Sequence, residues 1–145
     1  MGEVSSLFNL FDVDISEIQS NLPGEDRCST SIGPDISAFA VCDGHGGTNA
    51  CEIANNFLIN NIVERVKLLS SLDCTDEILR IIDESFQSCD EIVLHEALAK
   101  LKVPLDPHKN DSKQELMRTR DAGRPGCCVV IVVLVGGYLY AANVG

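Results

Sequence analysis

The segment from Ala38 to Asn49 carries the residues whose types and spacing are most indicative of chemistry. Its sequence, AFAVCDGHGGTN, sets a carboxylate, a histidine and three glycines directly after a short apolar run. Asp43, at the end of a rigid strand, can aim a carboxylate, and Gly44 can offer its backbone carbonyl as a second hard oxygen ligand. His45 adds a titratable proton. This pattern favours a divalent-cation site with a proton donor beside it; the alternative is a glycine-rich turn with a surface aspartate and histidine.

A second acidic group lies upstream, where Glu25 and Asp26 occur in the segment PGEDRC. A lone carboxylate holds a divalent cation weakly, so further acidic residues should converge on the same site. If residues 27–32 form a strand beside that of Asp43, the Glu-Asp pair can reach it. Taken alone, an exposed Glu-Asp pair is usually only solvated.

Flanking patterns predict the elements that would position these residues. Ile36–Cys42 is an apolar run typical of a strand. A helix should begin at Asn49, which has capping-box spacing to Glu52. A second helix should run from about Thr75 to Leu101 and end before the next prolines. The apolar stripes that predict the buried faces of the two helices are Ile53, Phe57, Ile62 and Val66, then Ile78, Ile82, Phe86, Cys89, Val93 and Ala97.

The C-terminal segment CCVVIVVLV-GG-YLYAANV predicts a β-hairpin, because Gly136 and Gly137 can both take positive φ in a tight turn. Residues 21–35 are turn-like, and residues 1–20 are compatible with a strand or a short helix. Residues 102–126 should form a polar loop with a short helical turn near residues 114–118. Since helices and hairpin are segregated, we expect an α+β fold with two antiparallel helices on one face of a largely antiparallel sheet.

Composition narrows the classes of partner and compartment. The 145 residues are 45% hydrophobic and 23% charged, as expected of one globular domain. A net charge of −11 argues against nucleic acid or an anionic membrane as the main partner. No apolar run approaches the roughly 20 residues that span a bilayer. An odd number of cysteines, seven, without a Cys-x-x-Cys pair or a signal peptide, predicts a reducing compartment, the cytoplasm or nucleus.

Together these motifs resemble the metal-dependent type 2C Ser/Thr protein phosphatases. The resemblance rests on the acidic pair, FAVCDGHGG, the two long helices and GCCVVIVVLVGGYLYAANVG, in that order between Pro23 and Gly145. It implies an α/β/β/α sandwich, in which two antiparallel sheets lie between pairs of helices. By this resemblance residues 1–20 are an N-terminal extension or first strand region, and residues 21–145 are the N-terminal half of the phosphatase domain.

The same resemblance implies a role for each site residue. Asp43 would bridge two divalent cations, Mn²⁺ or Mg²⁺, and the Gly44 carbonyl would bind one of them. Glu25 would reach the second cation partly through water, and Asp26 would support it through its water shell. A water between the cations would attack phosphoserine or phosphothreonine in a protein substrate, while His45 protonates the leaving oxygen.

Two departures from the family pattern leave two hypotheses. Asn21 stands where the family often carries a phosphate-binding arginine, and Arg27 follows the acidic pair instead, so the ligand of the substrate phosphate is unassigned. The family sequence normally continues past Ala-Asn-Val-Gly into Asp-Ser-Arg and two more metal-binding aspartates. We therefore expect a hydrolase with part of its site here, inactive as the 145-residue chain alone. The alternative is a non-catalytic, pseudophosphatase-like fragment that binds a partner protein.

Two further pairs of residues have the spacing of motifs for other chemistry, but each lacks residues that the motif requires. Cys74 and Arg80 match a Cys-x5-Arg phosphatase pattern, but acidic residues stand between them where a neutral amide cradle is needed. Asp12 and Asp14 match the start of a calcium loop that lacks its glycine and its closing glutamate.

Overall fold

Two helices and a four-stranded sheet make up the computed structural model, which describes residues 13–16, 18, 22, 24–101, 117 and 124–145. The strands lie in the order β1-β2-β3-β4, and each neighbouring pair is antiparallel. This arrangement confirms the predicted α+β class. The elements in chain order are β1 (Arg27–Ile32), β2 (Ile36–His45), α1 (Asn49–Lys67), α2 (Thr75–Leu101), β3 (Gly126–Val135) and β4 (Tyr138–Val144).

Alternation along the central strands gives the sheet a covered face and an uncovered face. Every second residue of β2 from Ile36 onward is buried, and so is every second residue of β3 from Val129 onward. Helix α1 lies across this covered face, in contact with β1, β2 and β3. The opposite face leaves Val41, Val130 and Leu139 exposed. The sheet therefore presents an apolar surface on the side away from the helices.

The two helices are antiparallel, as predicted. Arg65, near the end of α1, forms an ion pair with Glu84 in α2. One turn earlier in α1, Asn61 accepts a hydrogen bond from the Ser85 hydroxyl over 2.8 Å. Helix α2 packs on α1 and faces β3 and β4 across a cavity. Neither helix, within the residues that the structure describes, has the length and apolar character to cross a membrane.

The buried faces of the helices agree with the predicted stripes only in part. Ile62, Val66, Ile78, Ile82 and Cys89 are buried as predicted, whereas the other predicted positions are only partly buried. Helix α1 contacts both the sheet and α2, so its buried face is wider than one stripe. The additional buried residues of α1 are Ala50, Cys51, Ala54, Leu58, Ile59 and Val63.

Three local predictions need correction. The strand predicted to end at Cys42 runs on to His45, because its last three residues pair with β3. The predicted capping box at Asn49 is wrong: Thr48 is the N-cap, without a side-chain cap, and the Glu52 carboxylate pairs with Arg27 instead. The turn-like region 21–35 contains β1. The predictions for residues 1–20, Asn21 and the turn near residues 114–118 fall largely outside the described residues.

The hairpin between β3 and β4 is confirmed, and its turn has the backbone that the sequence predicted. Gly136 and Gly137 take φ angles of 60° and 80°. Two successive left-handed residues form the turn whose twist matches that of antiparallel strands. A Cβ on Gly136 would overlap the carbonyl oxygen of Leu72, whereas a Cβ on Gly137 would meet nothing within 4 Å.

This difference supplies a matched pair of substitutions. Gly136→Ala and Gly137→Ala each place an alanine in left-handed backbone, at a cost of about 1–2 kcal/mol. We expect Gly136→Ala to reduce the free energy of unfolding by roughly 2 kcal/mol more, because it also displaces the Leu72 carbonyl. Urea denaturation followed by circular dichroism measures both values. Equal losses would show that the contact between Leu72 and the hairpin does not constrain the fold.

Candidate active site

The predicted site residues lie at one end of the sheet, where β2 finishes. Asp43 and His45 are exposed on the uncovered face, while Gly44 between them is buried against the helix layer. Residues 126–128 of β3 pair with this end of β2 and hold it in place. Successive side chains of a strand point to opposite faces. Strand alternation, rather than loop geometry, therefore directs the carboxylate and the imidazole to the same side.

The acidic pair reaches this end of the sheet by way of β1. Since Arg27 pairs with Cys42, the chain before Arg27 runs alongside the chain after Cys42. The backbone carbonyl of Glu25 comes so close to Gly44 that a Cβ on Gly44 would overlap it. A strand over residues 27–32, which the acidic pair needs in order to reach Asp43, is thus present. The absence of a side chain at Gly44 allows the backbone of Glu25 to touch β2.

The carboxylates themselves are not gathered into one cluster. Glu25 is half-buried, and its Oε1 accepts a hydrogen bond from the Gly47 N–H over 2.6 Å. Asp26 is exposed. Within the described residues, no three ligand atoms drawn from these acids, Asp43 and His45 lie within 4.8 Å of one another. The structure brings the backbones of Glu25 and Gly44 together, and a hydrogen bond from Gly47 holds the Glu25 carboxylate.

Arg27 links the acidic segment, residues 24–26, to helix α1. Its Nη1 donates to the carbonyl oxygens of Gly24 and Asp26, at 2.9 and 2.7 Å. Its Nη2 donates to Oε1 of Glu52 in the first turn of α1, at 3.0 Å. The guanidinium therefore organises the acidic segment instead of standing free for a phosphate. Sequence reasoning missed this role, because the partner in α1 is distant in the chain.

The imidazole of His45 rests against β3 at Gly126. A Cβ on Gly126 would overlap Cε1 of His45 and would lie 2.7 Å from its Nε2. Only a glycine leaves room for the ring in this position. Sequence reasoning gave Gly126 no role at the site, and the one signal available was that a glycine begins the strand.

The two glycines after His45 turn the chain from β2 into α1. Gly46 and Gly47 have φ angles of 73° and 138°, which L side chains rarely adopt. A Cβ on Gly46 would also overlap the carbonyl oxygen of Arg124, and one on Gly47 would lie 3.4 Å from the Pro125 ring. The glycine-rich loop therefore packs closely under the segment that enters β3.

Three cysteine thiols lie behind Gly44, on the side of the helices. The Sγ atoms of Cys42, Cys51 and Cys127 lie within 4.8 Å of one another. The Cys51 thiol donates to the carbonyl oxygen of Cys42 over 3.3 Å. Burial, reinforced by the neighbouring thiols, raises the pKa of each to about 12. All seven cysteines of the chain are free thiols. Sequence reasoning treated Cys42 and Cys127 as small apolar residues and missed the cluster.

Comparison with known proteins shows which family this chain belongs to. The sequence profile of the family Protein phosphatase 2C matches residues 17–145. The chain belongs to the protein phosphatase 2C family. This agrees with the resemblance that the motifs indicated, and it places the acidic pair and the Asp43–His45 segment within the matched region.

Individual relatives of this protein phosphatase 2C chain come from plants and animals. The probable protein phosphatase 2C 55 of Oryza sativa subsp. japonica is 30% identical over 135 residues, 90% of this chain and 29% of that relative. The probable protein phosphatase 2C 76 of Arabidopsis thaliana is 29% identical over 119 residues, 82% of this chain and 22% of the relative. The human integrin-linked kinase-associated serine/threonine phosphatase 2C is 25% identical, with 91% and 29% covered. The chain thus spans under a third of the length of these relatives.

The contact between His45 and Gly126 can be tested directly. Gly126→Ala should push the imidazole away from β3, because the new Cβ would occupy the position of the ring. We expect the ring resonances of His45 to shift in a two-dimensional ¹H–¹³C NMR spectrum. His95, exposed on α2, serves as an internal control and should not change. Unchanged His45 resonances in a folded Gly126→Ala variant would contradict this position of the ring.

Proposed function

We propose that this chain contributes part of the active site of a phosphatase that hydrolyses phosphoserine or phosphothreonine in proteins. The observation that carries the proposal is the end of β2, where Asp43 and His45 share the uncovered face and the acidic segment touches Gly44. Membership of the protein phosphatase 2C family supports the same reaction.

The donors at this end of β2 fit hard divalent cations. Carboxylate oxygens of Asp43, Asp26 and Glu25 and the carbonyl of Gly44 are the ligand types that Mg²⁺ and Mn²⁺ prefer. We propose that these residues help to hold two such cations. When bound, the cations would neutralise charge on the phosphate and lower the pKa of water. The three thiols behind Gly44 are soft ligands on the face of the strand opposite to the Asp43 carboxylate, which leaves that carboxylate for the hard cations.

His45 is proposed as the general acid. Residues two apart on one strand face are separated by about 7 Å. A phosphate ester held by cations at Asp43 would therefore have its leaving oxygen within reach of the imidazole. An imidazole can carry a proton near neutral pH and transfer it to an alkoxide that would otherwise leave slowly. Gly126 positions the ring, and Arg27 positions the acidic segment by its contacts with Asp26 and Glu52.

A non-catalytic binding module is the alternative, and the uncovered sheet face is the observation that favours it. Val41, Val130 and Leu139 are 61%, 53% and 64% exposed on that face, and large exposed apolar patches mark sites of interaction with other polypeptide. The family fold would cover the face with its second sheet. A binding module would cover it with a partner protein.

Phosphate release from a phosphothreonine peptide distinguishes these functions, measured on the product of the full reading frame that encodes these residues. Asp43→Asn should reduce Mn²⁺-dependent turnover by at least about 100-fold, because it weakens cation binding. Asp35→Asn makes the same charge change at the opposite end of β2 and should leave turnover unaffected. His45→Ala should reduce hydrolysis of the peptide by about 100-fold. It should affect an aryl phosphate much less, because a phenolate leaves without a proton.

A full-length product without cation-dependent phosphate release would contradict the proposal and would favour the binding module. Equal effects of His45→Ala on the peptide and on the aryl phosphate would exclude His45 as the general acid, while leaving the role of Asp43 intact.

A further inference from the structure

The three thiols behind Gly44 form a group of ligands that the proposed phosphatase chemistry does not use. Cys42 comes from β2, Cys51 from α1 and Cys127 from β3, and their Sγ atoms all lie within 4.8 Å of one another. A single buried cysteine is ordinarily a small hydrophobic residue. Three converging thiols offer a set of soft ligands. Within the part of the chain that the structure describes, this is the one such group of cysteine, histidine and acidic ligand atoms.

The number of ligands and the burial restrict what this cluster can bind. A closed Zn²⁺ site normally has four protein ligands, and this group supplies three sulfurs. Three thiolates would leave one net negative charge around Zn²⁺ and two around Cu⁺. Cys42 and Cys51 are fully buried, at 0% exposure, and an uncompensated charge in such surroundings is strongly unfavourable. A trivalent thiophilic element with three bonds to sulfur would carry no net charge.

We propose that Cys42, Cys51 and Cys127 form a three-thiol binding site for trivalent arsenic. Arsenous acid, As(OH)₃, would condense with the neutral thiols one at a time. In each step an As–O bond breaks and an As–S bond forms, and the thiol proton leaves with the hydroxyl group as water. Three steps release three waters, transfer no electrons and create no net charge.

The geometry of the cluster is close to what three bonds to one centre need. Metal–sulfur bonds of about 2.3 Å keep sulfurs on one centre within roughly 4 Å of one another. The three Sγ atoms, all within 4.8 Å of one another, would therefore have to approach by at most about 1 Å. A cavity of about 500 Å³ between the two helices and the sheet has Cys127 in its wall. It gives a small neutral molecule a route to the cluster.

The cluster is coupled to the carboxylate site through Gly44. Cys42 directly precedes Asp43, and Cys127 pairs with Gly44 across β2 and β3. A Cβ on Gly44 would lie 3.0 Å from the Cβ of Cys51, so α1 packs directly against this backbone. Drawing the sulfurs together would shift Gly44, and the amide resonance of Gly44 therefore reports on loading of the site.

Anaerobic titration of the reduced protein with arsenous acid tests the proposal. We expect one arsenic per chain, with a mass gain of one arsenic less three hydrogens in native mass spectrometry. X-ray absorption at the arsenic edge should show three sulfur neighbours and no oxygen. Cys127→Ala should lower the affinity by more than about 100-fold, since even loss of an outer-shell partner costs 10–100-fold at metal sites. Cys127 is half-buried and alanine is smaller, and circular dichroism verifies that the variant is folded.

Matched controls are the cysteines outside the cluster. Cys89→Ala, which removes a buried thiol of α2, and Cys128→Ala, which removes the exposed thiol next to the cluster, should leave the affinity unchanged. Failure to bind, a shell with only two sulfurs, or an unchanged affinity in Cys127→Ala would each overturn the proposal. Tighter binding of Zn²⁺ than of arsenous acid by the same three thiols would overturn it as well, because the charge argument would then be wrong. The measurements use no phosphatase activity, so they stand apart from the proposed function.

Discussion

The register between β2 and β3 determines where each residue of the Asp43–His45 segment points. In this register residues 126–128 hold the end of β2 as a strand, so Asp43 and His45 lie on the uncovered face and Gly44 faces α1. A slip of one residue would turn every side chain of the strand to the other face. It would bury the Asp43 carboxylate against the apolar core, where an unpaired charge costs several kcal/mol. The apolar alternation of β2 and β3 thus fixes the direction of the chemistry.

Gly44 is the point at which the surrounding elements meet. It has no Cβ, so the carbonyl of Glu25 approaches from one direction and Cys51 of α1 from another. Arg27 then ties the acidic segment to the first turn of α1 through Glu52. The Asp43 carboxylate on the uncovered face and the three thiols on the covered face are separated only by this strand.

Local signals in the sequence were sufficient for much of the fold. The Gly136-Gly137 turn and the helix from Thr75 to Leu101 follow from backbone preference and hydrophobic period, which a sequence displays directly. The end of β2 was predicted wrongly because it depends on a distant partner: pairing with β3 extends the strand. The cap of α1 was predicted one residue too late, since Thr48 is the N-cap, and the Glu52 carboxylate pairs with Arg27.

The site shows the same division between local and long-range information. The motif predicted the acid, the carbonyl and the imidazole at the end of a strand, and β1 brings the acidic segment beside them. The hydrogen bond from Gly47 to the Glu25 carboxylate could not be predicted, nor could the contact of the His45 ring with Gly126. Both contacts join segments that are distant in the chain, and the spacing of residues in a sequence does not show which residues of such segments meet.

Paramagnetic broadening by Mn²⁺ in a ¹H–¹⁵N NMR spectrum is the most direct test of the claim that the end of β2 binds divalent cations. Mn²⁺ at substoichiometric concentration should first broaden the amide resonances of residues 24–26 and 43–47, and Asp43→Asn should remove this effect. Amides of the hairpin turn at residues 136–137, at the other end of the sheet, should stay sharp. Broadening that instead centres on the acidic first turn of α2, at Asp76 and Glu77, would contradict the account.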